Sequence, residues 1–163
     1  MKKLSIILCI IWMGFIFYNS SQTGVTSNER SFAIVNAVKQ KYNSIQNSGK
    51  VTKKVLSLPV TTKEGEINLF LRKNAHAFEY LILALLISNA FFCNKYRGKG
   101  AIVYILFICL FYAVTDEFHQ LFVVGRTSQV SDVLIDFSGS LIGMGIYYFV
   151  YYNKHRSKRL KSN

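Results

Sequence analysis

Proline is nearly missing from this 163-residue chain, whose single example follows Leu58. Leu58-Pro59 is the one proline-made interruption of helix to expect. Cysteine is also scarce. Cys9, Cys93 and Cys109 lie within or at the edge of apolar runs, which excludes a disulfide framework outside the membrane, and none has a nearby histidine to make it a reactive thiol. Internal repeats, low-complexity tracts and the His-x3-His spacing of zinc proteases are absent too. Acidic residues are few, 8 against 20 Lys and Arg, for a net charge of +12. Apolar residues are plentiful: they make up 51% of the chain, and it carries 13 Phe and 10 Tyr.

That apolar content is gathered in blocks rather than in amphipathic stripes. A helix needs roughly 17 to 25 predominantly apolar residues to cross the hydrocarbon. The runs are Leu4–Tyr18, Ala75–Phe92, Ala101–Thr115 and Val133–Tyr152. The first follows Lys2 and Lys3 and has small residues after it, so a signal peptide is its rival reading. Three more runs follow and no small-x-small cleavage site does, so a retained helix is the expectation. The fold class is therefore all-α: an integral membrane bundle of about four transmembrane helices. Residues 1–21 form the first span, 22–70 an extracytoplasmic segment, 71–152 a three-helix core and 153–163 a basic tail.

The positive charge invites a nucleic-acid reading until its location is considered. Lys2 and Lys3, then Lys95, Arg97 and Lys99 in the turn after the second run, then Lys154, Arg156, Lys158, Arg159 and Lys161 all fall on one side of a four-span topology. The turn between the third and fourth runs has only Arg126. The positive-inside rule puts both termini in the cytoplasm and that turn outside. Long segments cross with less regard to charge, which accommodates the lysines between residues 39 and 63. The basic tail then faces anionic lipid, and no nucleic-acid partner is expected.

In the outer segment, Thr26-Ser27-Asn28-Glu29 has capping-box spacing, and Phe32, Val35, Val38, Tyr42 and Ile45 recur at threes and fours. This predicts a short amphipathic helix, lying on the membrane surface or packed over the bundle. Asn47–Lys54 reads as a linker, and Glu64–Asn74 as a lead-in to the second span.

Ionisable groups in a spanning helix cost roughly 2.5 to 3.5 kcal/mol each at the bilayer centre and less near its ends. Seven gather at one end here: His76, Glu79, Asp116, Glu117, His119, Asp132 and Asp136. On the second helix Lys73, His76, Glu79 and Tyr80 fall along one face, as do Tyr112, Asp116, His119 and Gln120 on the third. Asp132 and Asp136 share a face of the fourth that continues through Gly139 and Gly143, with Ser140 beside it. Small residues let helices approach closely, so this face should turn into the bundle and the polar groups should share one pocket. Arg126, on the hairpin, is placed to reach down to a carboxylate. The plainest use is a network that fixes helix packing, with Ser131 or Asp132 capping the fourth helix. Five carboxylates beside two imidazoles exceed what one Arg and one or two Lys neutralise, which points beyond packing to a cation, a shared proton or a positively charged ligand. Asp116, Glu117 and His119, in the order Asp-Glu-x-His-Gln, are candidate ligands for a divalent metal or candidate acid–base groups.

These motifs resemble those of the VanZ-like membrane proteins. The resemblance rests on Lys73-Asn74-Ala75-His76-Ala77-Phe78-Glu79-Tyr80, on Asp116-Glu117-Phe118-His119-Gln120, and on Gly125-Arg126 followed by Asp132, Asp136, Gly139 and Gly143. Asn19-Ser20-Ser21-Gln22 at the end of the first helix is also similar. Val124 stands where members often have Pro, and Asp136 where many have Asn. The resemblance implies a multi-pass protein of the bacterial cell membrane and an association with resistance to the glycopeptide teicoplanin, without implying a reaction.

Two functions are then in competition. One is a binding module for a lipid-linked cell-surface precursor or a lipophilic glycopeptide, with Lys73 and Arg126 on an anionic head group and Asp116, Glu117 and His119 on an amine, hydroxyl or bridging cation. The other is an enzyme acting on an envelope lipid or its phosphate, with a metal on Asp116, Glu117 and His119, Glu79 or His76 as base, and Arg126 on a phosphoryl oxygen. Transport is disfavoured, because Ile105, Leu106, Ile108 and Leu110 leave no polar path through the inner half.

Overall fold

The computed structural model describes residues 2–22, 33, 62–126 and 128–160, with side chains in helices described over 3–20, 69–120 and 130–154. Among the described residues the long helices are four: α1 Lys2–Ser20, α2 Thr62–Cys93, α3 Lys99–Gln120 and α4 Val130–Leu160. Each contains a stretch long and apolar enough to cross a membrane, namely Lys3–Ser20, Leu69–Cys93, Lys99–Gln120 and Val130–Lys154. The helices overrun the four apolar runs, because polar residues at the ends of a span remain helical while they meet the interface. Glu64–Asn74 is accordingly the first turns of α2 itself. The expected amphipathic helix over 26–47 and the linker 47–54 lie outside the described residues.

Successive helices run in opposite directions. Asn89 Nδ2 of α2 donates to Ser5 Oγ of α1 at 3.2 Å, while Trp12 Nε1 at the middle of α1 donates to the Glu79 carbonyl at 2.9 Å and Asn19 Nδ2 at its other end to Glu79 Oε1 at 2.8 Å. The most extensive pairing joins α2 and α4, which run parallel. Its cause is local. A Cβ built on Gly139 would collide with the Ala77 carbonyl oxygen, and one on Gly143 with that of Leu81. The two glycines, one turn apart, let the backbones of α4 and α2 touch, which is how helices associate where no hydrophobic effect drives them.

The surface is apolar and the interior partly polar, the reverse of a water-soluble protein. Ile10, Ile11, Val103, Phe107, Phe111, Phe118, Ile142 and Phe149 are exposed, whereas Ser20, Ser88, Asp116, Glu117, Gln120, Asp136 and Ser140 are buried. Around the midpoint, Ile16, Leu83, Ala84, Ile105, Cys109 and Ala113 form the apolar core. At one end Phe92 meets the rings of Tyr147, Tyr148 and Tyr151 at 5.2, 5.0 and 4.6 Å. The three cysteines are free thiols, Cys9 and Cys109 buried in the packing.

Candidate functional site

The polar residues collect at the end where α1 and α3 finish and α2 and α4 begin. They form two adjoining groups rather than the single pocket expected.

The first group lines a cleft among α2, α3, α4 and the α3–α4 turn, walled by Arg72, Lys73, His76, Glu117, Gln120, Arg126, Asp132, Ile135 and Asp136. Its free interior is about 10 Å³, the scale of a single water molecule or one ligand oxygen. Lys73 Nζ pairs with Asp132 Oδ1 at 2.5 Å across α2 and α4. Glu117 Oε1 accepts the backbone N–H of Gln129 at 2.7 Å. Glu117 thus satisfies, from α3, a backbone donor just ahead of α4; because α4 already begins at Val130, Ser131 and Asp132 lie inside its first turn and not at the cap position expected of them. Ser131 Oγ instead lies 3.2 Å from Asp132 Oδ1, whose carboxylate is taken up with Lys73.

The second group lies behind the cleft, against α1. Glu79 is held on three sides: Asn19 Nδ2 donates to its Oε1 at 2.8 Å, His76 Nδ1 lies 3.4 Å from its Oε2, and Trp12 bonds its carbonyl. Asp116 is 2% exposed and accepts Gln120 Nε2 at 3.4 Å, with Ser20 beside it. Tyr80 is fully buried, with its ring 6.1 Å from that of Tyr112, whose hydroxyl donates to the Met13 carbonyl at 2.5 Å. His119 packs its ring on Phe17 at 4.3 Å. Buried polar groups normally find partners. Among the described residues, Tyr80 OH and His119 Nδ1 have none.

Arg126 joins the two groups. Gly125, at a φ of 77°, takes a left-handed conformation that glycine adopts at little cost, and the chain turns back toward the end of α1. Arg126 Nε donates to the Gln22 carbonyl at 3.2 Å, Nη2 to the Asn19 carbonyl at 3.3 Å and Nη1 to Gln120 Oε1 at 3.3 Å. It was expected to seek a carboxylate; its bonds go to carbonyl and amide oxygens, because the Gly125 turn brings it against the backbone at the end of α1. Burial lowers its pKa from the ordinary value and the charge of Arg72 adds to this, while Asp116, Glu117 and Glu79 oppose it.

Among the described residues, no three His, Cys, Asp and Glu side chains are grouped to hold a metal ion. Asp116, Glu117 and His119 fan out around α3: Asp116 meets Gln120, Glu117 meets the start of α4 and His119 meets α1. Successive helical residues diverge by about 100°, so adjacent acids on one helix do not readily converge on one point.

Sequence reasoning passed over the contribution of α1 and also Arg72. Asn19-Ser20-Ser21-Gln22 was visible as a motif, but nothing in its spacing tied it to Glu79 or Arg126. Arg72 precedes Lys73 and had no distinguishing signal.

The fold and site define a four-span, all-helical membrane protein with a polar cleft at one end of an apolar bundle. A family model described as VanZ/LLP1 matches residues 5–151, and the chain belongs to that family. No curated protein and no solved structure matches it.

Proposed function

We propose that this is a bacterial envelope protein that binds the anionic head group of a lipid-linked cell-surface molecule, or a lipophilic glycopeptide of the teicoplanin type, and so contributes to glycopeptide resistance. One observation carries the reading. Arg72 and Arg126 line the same cleft, and Arg72 makes no hydrogen bond or ion pair among the described residues. The carboxylates around the cleft offset part of this charge, and an anion between the two arginines would relieve their mutual repulsion further through charge-assisted hydrogen bonds. Lys73, neutralised by Asp132, passes that role to Arg72. A cleft of this size admits one phosphoryl or carboxylate oxygen, and the rest of the head group stays at the mouth. The positive-inside rule turns the cleft outward and keeps both termini in the cytoplasm, where it would meet envelope precursors on the outer face.

The test is expression in a glycopeptide-sensitive bacterium, with protection and membrane abundance measured together. Arg72→Gln should abolish protection at unchanged abundance, and protection equal to the parent chain would reject the reading.

A second reading, an enzyme acting on an envelope lipid phosphate, has its own support. His76 turns Nδ1 toward Glu79 and lines the cleft that holds both arginines. A carboxylate behind an imidazole is the arrangement that orients a general base. Release of phosphate from envelope lipid by the parent chain but not by His76→Gln would establish it.

A further inference from the structure

The opposite end of the bundle holds a larger and chemically different opening. Ile6 of α1, Ala90, Phe91 and Asn94 at the end of α2, Tyr96 in the turn and Tyr104 of α3 line an apolar groove of about 460 Å³. It exists because α1 and α3 both pack on α2 while barely touching each other. Its walls are apolar side chains and aromatic rings, and Asn94 has its amide turned to the Ala90 carbonyl.

The charge around the groove is of one sign. Lys3 lies one turn before Ile6, on the same face of α1. Lys95 adjoins Tyr96, and Lys99 opens α3. All three lysines are exposed, and none has an ion pair among the described residues. No described acidic residue lies at this end: Glu64, Glu66, Glu79, Asp116, Glu117, Asp132 and Asp136 all belong to the cleft end. Arg97 is otherwise engaged, 5.3 Å above the Tyr151 ring and bonded to the Phe92 carbonyl. Tyr96 and Tyr104 are 69% and 65% exposed, which suits phenol rings at the level of lipid head groups.

We propose that this groove is a binding site for one anionic phospholipid, with an acyl chain between α1 and α3 and the phosphate against Lys3, Lys95 and Lys99. The apolar walls account for the chain, and the uncompensated lysines account for the choice of an anionic head over a zwitterionic one. The site does not depend on the cleft or on the direction in which the protein is inserted. The lipid would fill the space that α1 and α3 leave open and tie α1 to the bundle at the end away from Arg126.

The experiment is native mass spectrometry of the full chain purified in detergent and supplied with equal phosphatidylglycerol and phosphatidylcholine. One phosphatidylglycerol should be retained in preference to phosphatidylcholine. Each lysine near a membrane surface contributes about fivefold to such binding, so Lys95→Gln with Lys99→Gln should lower retention about 25-fold. Both positions are exposed, and these changes leave the packing alone. Ala90→Trp fills the groove and should remove the lipid, and helix content by circular dichroism verifies that this variant is folded. Equal retention of the two lipids would overturn the proposal, as would retention unaffected by the paired lysine change. A lipid-free dimer would overturn it too, by making a second copy of the chain the occupant.

Discussion

Gly139 of α4 lies directly on the carbonyl oxygen of Ala77 in α2, with no room between them for even a methyl group. Backbone forms the opposing wall, so no side chain can move aside. Gly139→Val should part the two helices and cost about 3 kcal/mol, the upper part of the range for overpacked sites. Thermal unfolding in detergent measures it. Gly14→Ala is the control, because nothing lies within 4 Å of that position, and its melting temperature should not fall.

Glu79 anchors α1 through Asn19, and the same stretch holds Trp12, the chain's single tryptophan. Glu79→Leu leaves the Asn19 amide without an acceptor at a cost of about 1 to 3 kcal/mol. It should change Trp12 emission and lower the melting temperature, whereas Glu79→Gln keeps an acceptor and should stay near the parent on both measures. Identical behaviour of the two variants would remove Glu79 as the anchor.

The three bonds from Arg126 diverge to Gln22, Asn19 and Gln120, a fan that a planar guanidinium can serve and a compact ammonium cannot. Arg126→Lys should therefore loosen the last turn of α1 nearly as much as Arg126→Ala. Hydrogen exchange of the amides between Ile16 and Gln22 should quicken in both variants. Protection by lysine equal to that by arginine would mean that charge alone matters there.

Lys73 and Asp132 are 24% and 23% exposed, so water screens their attraction. A double-mutant cycle with Lys73→Met and Asp132→Asn should give a coupling of about 1 kcal/mol that declines as salt is raised. A coupling indifferent to salt would show that the pair is shielded from solvent.

Glu117, by contrast, acts through a bond to backbone. Its Oε1 receives the Gln129 N–H at the approach to α4, so Glu117→Gln should retain most stability and Glu117→Ala should lose about 1 kcal/mol, as for a lost helix cap. Calorimetric melting of both variants distinguishes a capping role from a purely electrostatic one.

Much of this is legible in the sequence. The four apolar runs specify four spans because crossing hydrocarbon demands length and apolarity, both linear properties of a chain. The helical spacing of Asp132, Asp136, Gly139 and Gly143 marked the inward face of α4, and Asp136 is indeed buried where the glycines meet α2. Partners were less legible. Lys73 and Arg126 carry the same charge at the same end, yet one meets a carboxylate and the other meets carbonyls, because each depends on what a neighbouring helix happens to present.

Periodicity and composition, then, establish which residues enter the membrane and which faces turn inward, since both follow from each helix and its solvent. Division of the polar end into a cleft and a buried group behind it, the recruitment of Asn19 and Gln22 to Glu79 and Arg126, and the exchange of Arg72 for Lys73 as a cleft cation with no ion pair among the described residues arise only from packing. Each is a matter of a few ångströms between segments far apart in the chain, and such distances are written in no local pattern.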